Sequence, residues 1–358
     1  MRVLHVITGL SAGGAETQLR LLLAHSRHEA DVVALYNPGS VAAQLRADGV
    51  HVTDLGMRSN RELGAVLRLA RVIRRGRYDA VHTHLYRACL YGRIAARLAG
   101  VRLVVATEHS LLDDQLEGRP ATRAVRLLYL LSERLGRMTI AVSGQVRANL
   151  LAWGIPAERL TTIPNGLDAE AVAFDPATRA EVRAGLGIPA AAVVIGAVGR
   201  LHPGKRFDVL LSALAPTLGP GRQLLVVGEG TERARLEELA TDAGVSPHVH
   251  LVGEQQVGRY LSAMDVLVSP SRYETSGLAV LEGLAAGLPV LFRRSPALDE
   301  LDGDVPTAVP LSDDDDLATA TDAALGRAPV DRRCPDALSA LDITAVAGLV
   351  DDVYERLA

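Results

Sequence analysis

The chain has 358 residues, of which 48% are hydrophobic and 22% charged, and a net charge of −4. That length exceeds one ordinary core and predicts two domains of similar size, and the balance of apolar and charged residues excludes a disordered chain. The charge is uneven: residues 1–170 carry +7 and the remainder −11, so the first half is suited to an anionic partner.

The opening MRVLHVITGL reads as a strand and not as a signal peptide, because its apolar run is short, holds His5 and ends in a glycine turn. Strand-like runs follow at 31–36, 50–55, 79–84, 102–107 and 138–143, mostly separated by helical patterns. This alternation is the signature of a parallel, doubly wound sheet. IPNGLD (163–168) is rich in turn formers and marks the linker. The pattern then restarts with strands at 191–199, 222–228, 248–253, 265–270 and 288–292, and helices near 205–215, 231–243, 256–263 and 277–286. Residues 339–357 form one more amphipathic helix. The expected fold is α/β, two Rossmann-like doubly wound domains facing a central cleft, with chemistry in the loops beyond the carboxyl ends of the strands.

No run of about 18 apolar residues occurs, which excludes a spanning helix. Cys89 and Cys334 lie far apart without CxxC or histidine-rich spacing, so a disulfide framework or zinc site is not expected and a reducing cytosol fits. The acidic balance and scarce aromatics exclude a nucleic-acid partner. Arginine replaces lysine almost everywhere and Ala and Gly abound, a bias of GC-rich bacterial coding.

The one lysine, Lys205, stands in GRLHPGKRF (199–207), after a strand and at the expected start of a helix. A cation at a helix N-terminus has the wrong sign for the dipole unless an anion is also held there. Chance placement is the bland alternative, and a phosphate contact the sharper one. VGEG (227–230) is a glycine-rich turn of a common kind. In SPSRYETSGLAVLEGLAAGLPV (269–290), Ser276 and Gly277 open a helix, Glu274 precedes it and Glu282 lies inside. The neighbours of Glu282 along the helix are Leu278, Ala279, Ala285 and Ala286, so it lies off the solvated face and needs hydrogen-bond partners such as ligand hydroxyls.

The pattern P-S-x-x-E-x-x-G-L-x-x-L-E-x-x-A-x-G-x-P-V resembles the family 4 retaining glycosyltransferases of the GT-B fold. SAGGAE (11–16), TEHS (107–110), PNGLD (164–168), GRLHPGK (199–205), VGEG and LVG (251–253) match in order, covering nearly all of the chain. The resemblance implies an N-terminal acceptor domain (1–168), a nucleotide-sugar domain (169–338) and a C-terminal helix (339–358) returning to the first. Arg200 and Lys205 would hold the donor diphosphate and stabilise the charge that grows as it leaves. Glu274 would meet sugar hydroxyls, the amides of Gly277 and Leu278 the sugar or phosphate, with Ser276 lining the pocket. Glu282 would hold the ribose and backbone near Val252 the base. Gly14 would let backbone approach the phosphates, and His109 would reach the sugar. The implied reaction moves a sugar from a UDP- or GDP-linked donor to a hydroxyl acceptor, small or lipid-linked, in the bacterial cytoplasm. Two cations and a helix end take a metal's place, so neither a metal ion nor a cofactor is expected; DDDD (313–316) reads as a helix start or solvated loop. A nucleotide-sugar epimerase and a non-catalytic nucleotide-sugar-binding subunit are the alternatives. The chain departs from the pattern at Ser276, usually aromatic, Gly283, usually alanine, and Arg206, usually glycine. RRSPALDELDGDV (293–305) lacks the usual double glycine.

Other features stay open on the residues alone. His82 and His84 share one strand face but have no third metal ligand nearby in sequence, and His109 is equally readable as structural. The helix at 61–77, with six arginines, and Arg119, Arg123 and Arg126 before LLYLL (127–131) could meet an anionic acceptor or give peripheral contact at the inner membrane face. A solvated face is the plainer reading.

Overall fold

The computed structural model describes residues 1–59, 62–112, 115–117, 119–303, 305–312, 316–326 and 332–358. The chain divides into two units, Met1–Gly166 with Ile343–Ala358, and Leu167–Asp342. The division falls inside IPNGLD, two residues before its end. Among the described residues no helix is long and apolar enough to cross a membrane.

The first unit runs β1 (Arg2–Ile7), α1 (Gly14–His25), β2 (Glu29–Ala34), α2 (Gly39–Ala47), β3 (His51–Asp54), α3 (Gly64–Gly76), β4 (Ala80–His84), α4 (Tyr86–Ala99) and β5 (Leu103–Glu108). Three two-residue strands follow, β6 (Leu111–Leu112), β7 (Gln115–Leu116) and β8 (Arg119–Pro120), then α5 (Arg123–Glu133), β9 (Met138–Ala141), α6 (Gly144–Trp153) and β10 (Leu160–Thr162). The sheet is parallel, in the order β10-β9-β5-β4-β1-β2-β3. The small antiparallel sheet β6-β7-β8 and strand β10 carry too few residues for an alternating signal, and the sequence reading did not include them.

Alternation along the central strands sorts the core. Leu4, Val6, Val81 and Val104 meet α3 and α4 on one face. Val3, Ala80, Leu103 and Val105 meet the chain's last helix, α14 (Ile343–Leu357), on the other. That helix packs beside α1, where buried Asp351 accepts hydrogen bonds from Ser26 Oγ and the Arg27 amide at 2.7 and 2.8 Å. The helix is shorter than expected, because residues 336–341 form a 3₁₀ turn that belongs to the second unit.

The second unit runs α7 (Pro176–Gly185), β11 (Val193–Val198), α8 (Phe207–Leu214), β12 (Arg222–Val227), α9 (Arg233–Asp242), β13 (Val249–Leu251), α10 (Val257–Ala263), β14 (Val266–Ser269), α11 (Leu278–Ala285), β15 (Val290–Phe292), α12 (Pro296–Asp299), β16 (Ala308–Pro310) and α13 (Leu317–Leu325). Its parallel sheet has the order β13-β12-β11-β14-β15-β16. Succession reverses at β11, which lies between β12 and β14, so the helices that follow β11 and β14 lie on opposite faces of the sheet and leave a crevice at the strand ends. In the first unit the same reversal occurs at β1, between β2 and β4. Asp316 caps α13 by accepting from the amides of Ala318 and Thr319, the helix-start role expected for the acidic run; its other three aspartates lie outside the described residues.

Candidate functional site

Two loops of the second unit meet at the switch point. After β11 the chain turns through Gly199 and exposed Arg200 into a 3₁₀ turn, Pro203–Lys205. Lys205 therefore closes this turn, two residues before α8, and does not stand on the helix N-terminus as the sequence suggested. The residue between them, Arg206, holds a left-handed backbone with φ of 56°. Pro203 favours the tight turn, and only a left-handed residue can then redirect the chain into α8, which accounts for the glycine usual at this place. Lys205 Nζ lies 2.5 Å from Glu274 Oε1, on the loop after β14. Both side chains are largely buried. Behind them Ser271 Oγ donates to the carbonyls of Gly204 and Tyr273, tying the two loops together.

Glu274 leads into the N-terminus of α11. Gly277 sits there with φ of 88°, and a Cβ at this position would come within 2.4 Å of Ser295 Oγ, so glycine is required by conformation and by space. Ser276 is buried; its carbonyl accepts from the Ala297 amide at 3.0 Å, while its hydroxyl has no hydrogen-bond partner. The segment that lacks the usual double glycine thus supports the pocket with Ser295 and α12. Leu278 opens α11 on its partly exposed side. Glu282 lies just over one turn inside, half-buried, and burial raises its carboxyl to about 7. Burial alone accounts for the shift, in keeping with its apolar neighbours along the helix.

The glycine turn after β12 acquires a definite role. A Cβ on Gly228, whose φ is 145°, would fall 2.0 Å from the Gly199 carbonyl oxygen. Leu201 then donates to the Glu229 carbonyl and Gly228 to the Gly253 carbonyl, at 3.0 and 2.8 Å. GRL, VGEG and LVG are thereby knitted into one floor at the carboxyl edge of the sheet. The Val252 amide is already committed to the Val226 carbonyl at 3.1 Å, and Gln255 Nε2 donates to the Val252 carbonyl at 3.1 Å. Of its two backbone groups, only the carbonyl, with its second lone pair, can take a further partner.

In the first unit Gly14 is the exposed first residue of α1, after the turn that leaves β1. His109 follows β5, and its Nε2 lies 3.2 Å from His84 Nδ1. His84 Nε2 in turn lies 3.0 Å from His5 Nδ1. His82, beside them, meets the Tyr354 hydroxyl at 2.5 Å and Thr107 Oγ1 at 2.7 Å. Burial holds His5 down at about 3 and His109 at about 4, and His82 and His84 well below the ordinary histidine value. All four imidazoles are neutral near pH 7.

The sequence placed His82 and His84 on one strand face but missed His5, which β1–β4 register puts directly opposite His82. A third nitrogen is therefore close by: those of His5, His82 and His84 lie within 4.8 Å of one another, a set able to hold a metal ion. However, both nitrogens of His82 are engaged by Tyr354 and Thr107, and His5 and His84 face each other. The cluster reads as a chain of hydrogen bonds ending at His109, whose Nδ1 is buried without a partner. A neutral imidazole chain fixes the tautomer of its last member, because each ring donates through one nitrogen and accepts through the other.

Residues 12–171 match the model of Glycosyltransferase Family 4, and residues 192–327 that of Glycosyl transferases group 1. The D-inositol 3-phosphate glycosyltransferase of Saccharomonospora viridis is 32% identical over 271 residues, 68% of this chain and 61% of that protein. The matched stretch thus spans about three-fifths of that relative's length. A UDP-galactose-dependent α-1,3-galactosyltransferase of Escherichia coli, acting on GlcNAc-diphosphoundecaprenol, is 28% identical over 64% of this chain and 62% of its own. Among solved structures, Anabaena HepE in complex with UDP and glucose superposes with a TM-score of 0.85, at 20% identity, over 99% of this chain and 100% of that one.

Proposed function

The chain belongs to glycosyltransferase family 4, of the GT-B type, and from that premise we propose that it is a retaining transferase moving a hexose from a UDP- or GDP-sugar to a hydroxyl acceptor without a metal ion. The observation that carries this reading is the meeting of Lys205 with Glu274 at the switch point of the second unit, beside the glycine-led start of α11. A cation, a carboxylate and a helix N-terminus together suit a diphosphate joined to a polyhydroxylated ring. Relatives named for glycosyl transfer and a fold neighbour crystallised with UDP and glucose support the same class of donor.

In this reading Lys205 and Arg200 hold the diphosphate, Glu274 takes sugar hydroxyls, and the amides of Gly277 and Leu278 lie along the sugar and phosphate. Ser276 offers its unpartnered hydroxyl to the donor. Glu282 takes the ribose and the Val252 carbonyl the base. From the first unit, His109 is assigned to the sugar and Gly14 to the phosphates. The bond from the anomeric carbon to the phosphate oxygen breaks while the acceptor oxygen bonds on the same face, and the departing phosphate takes the acceptor's proton. Negative charge grows on the diphosphate during this step, so fixed cations stabilise the transition state more than the ground state. A bacterial glycan, glycolipid or natural product is the setting, in the cytoplasm.

The test is nucleotide release from a panel of UDP- and GDP-sugars, with and without EDTA. Release with one donor, undiminished by chelation, supports the proposal. Tight donor binding with no release assigns a non-catalytic subunit, interconversion of the sugar nucleotide an epimerase, and activity lost on chelation overturns metal independence.

A further inference from the structure

The first unit carries an unusual outer face. α3 packs on α4 and α4 on α5, all on the side of the sheet away from α14, so their outward surfaces are contiguous. On α3 and its cap, Leu63 and Leu67 are 78% and 54% exposed, and the same stripe continues through Arg71 and Arg74. On α4, Leu98 is half exposed, and its carbonyl accepts from Arg74 of α3 at 2.8 Å, which joins the two stripes. On α5, Leu127, Leu128 and Leu131 all point outward, at 57%, 52% and 49% exposure. LLYLL therefore buries only Tyr129 fully and offers three of its four leucines to the outside, Leu130 packing partly on the core. Leucines that fold into no core of their own unit, placed on neighbouring helices, need an apolar partner.

The charge on this face selects the partner. The three helices hold nine arginines, of which Arg93 alone is buried in the core, and one acidic residue, Glu133. That carboxylate is buried and already paired with Arg159, and Glu62, just before α3, is paired with Arg68. Among the described residues Arg71, Arg75, Arg97 and Arg123 have no carboxylate within ion-pair distance. A second copy of the chain would bring the same arginines against these and repel. We propose that the α3–α4–α5 face docks on an anionic lipid bilayer, its leucines entering the headgroup boundary and its arginines meeting lipid phosphates. Short apolar stripes flanked by arginine suit lying on a membrane, and none of the three helices can span one.

Sedimentation with vesicles tests this without reference to sugar transfer. The whole chain should bind vesicles of equal parts phosphatidylglycerol and phosphatidylcholine at least about tenfold more tightly than pure phosphatidylcholine, and added salt should release it. The double variants L127S/L128S and R71E/R75E, all at exposed positions, should each lose about tenfold or more in vesicle binding while keeping the thermal midpoint of the parent. Binding to neither vesicle, or undiminished binding by both variants, overturns the proposal. A dimer in light scattering that L127S/L128S dissolves, or binding to an acidic soluble protein in place of vesicles, assigns the face to that partner and equally overturns it.

Discussion

Lys205 Nζ lies 2.5 Å from Glu274 Oε1 although 69 residues separate the two. Neither residue is on an α-helix or strand; each is delivered by the segment leaving one of two adjacent parallel strands, β11 and β14. The pair therefore records the sheet's strand order directly. In the proposed reaction, diphosphate and sugar hydroxyls would compete for this cation and carboxylate.

Loss of Lys205 should chiefly slow the chemical step. Lys205→Ala is expected to lower kcat by about 100-fold to 1,000-fold, as when one preorganised stabiliser of developing charge is removed. The change in KM should be smaller, because the contact strengthens as the diphosphate departs. Steady-state kinetics on the preferred donor decides it; an unchanged kcat removes Lys205 from the reaction.

Glu282 couples stability to pH. Its folded carboxyl is raised to about 7, against roughly 4.3 in an unfolded chain, so between these values the folded state holds the extra proton. Stability is full below the unfolded value and falls as pH rises through 7. Glu282→Gln, which stays neutral, should therefore be more stable than the parent at pH 8, by roughly 1–3 kcal/mol, and nearly equal to it at about pH 4. Chemical denaturation at the two pH values measures this, and calorimetry should show weaker nucleotide affinity in the same variant.

The three fully buried histidines act with the opposite sign. His5, His82 and His84 are held neutral well below their unfolded value of about 6.5, so the unfolded chain binds more protons as pH falls. Stability of the first unit should be complete above that pH and decline below it, by up to about 1.4 kcal/mol per pH unit for each histidine. His109, held down at about 4, adds to this trend, and buried Glu108, whose carboxyl is raised, works against it, one proton against four. Acid titration of the thermal midpoint should show the decline begin near pH 6.5. A flat profile down to pH 5 means that the histidines are already open to water.

Arg206 holds a left-handed backbone that costs a side-chain-bearing residue about 1–2 kcal/mol, and one of its guanidinium nitrogens is buried without a partner. Arg206→Gly should raise stability by about 1 kcal/mol after the glycine's added unfolded-state entropy is allowed for. A shifted denaturation midpoint with unchanged slope is the expected result.

By itself the sequence determined the two doubly wound domains, because strand and helix periods are local and each element had to bury a patterned face. It also singled out the glycine at 277, Glu274 before α11 and Glu282 inside it, since a glycine-led helix start and a carboxylate among alanines are visible in a few adjacent residues. Tertiary structure alone decided what meets what. The Lys205–Glu274 pair depends on β11 lying beside β14, and the imidazole chain depends on the register that sets His5 opposite His82. Tertiary packing also decided which leucines of LLYLL face outward, where the residues alone left a solvated face and a membrane contact both open. Pairing, register and exposure are relations between distant segments, fixed by how whole sheets close over shared cores, and no stretch of chain read alone carries them.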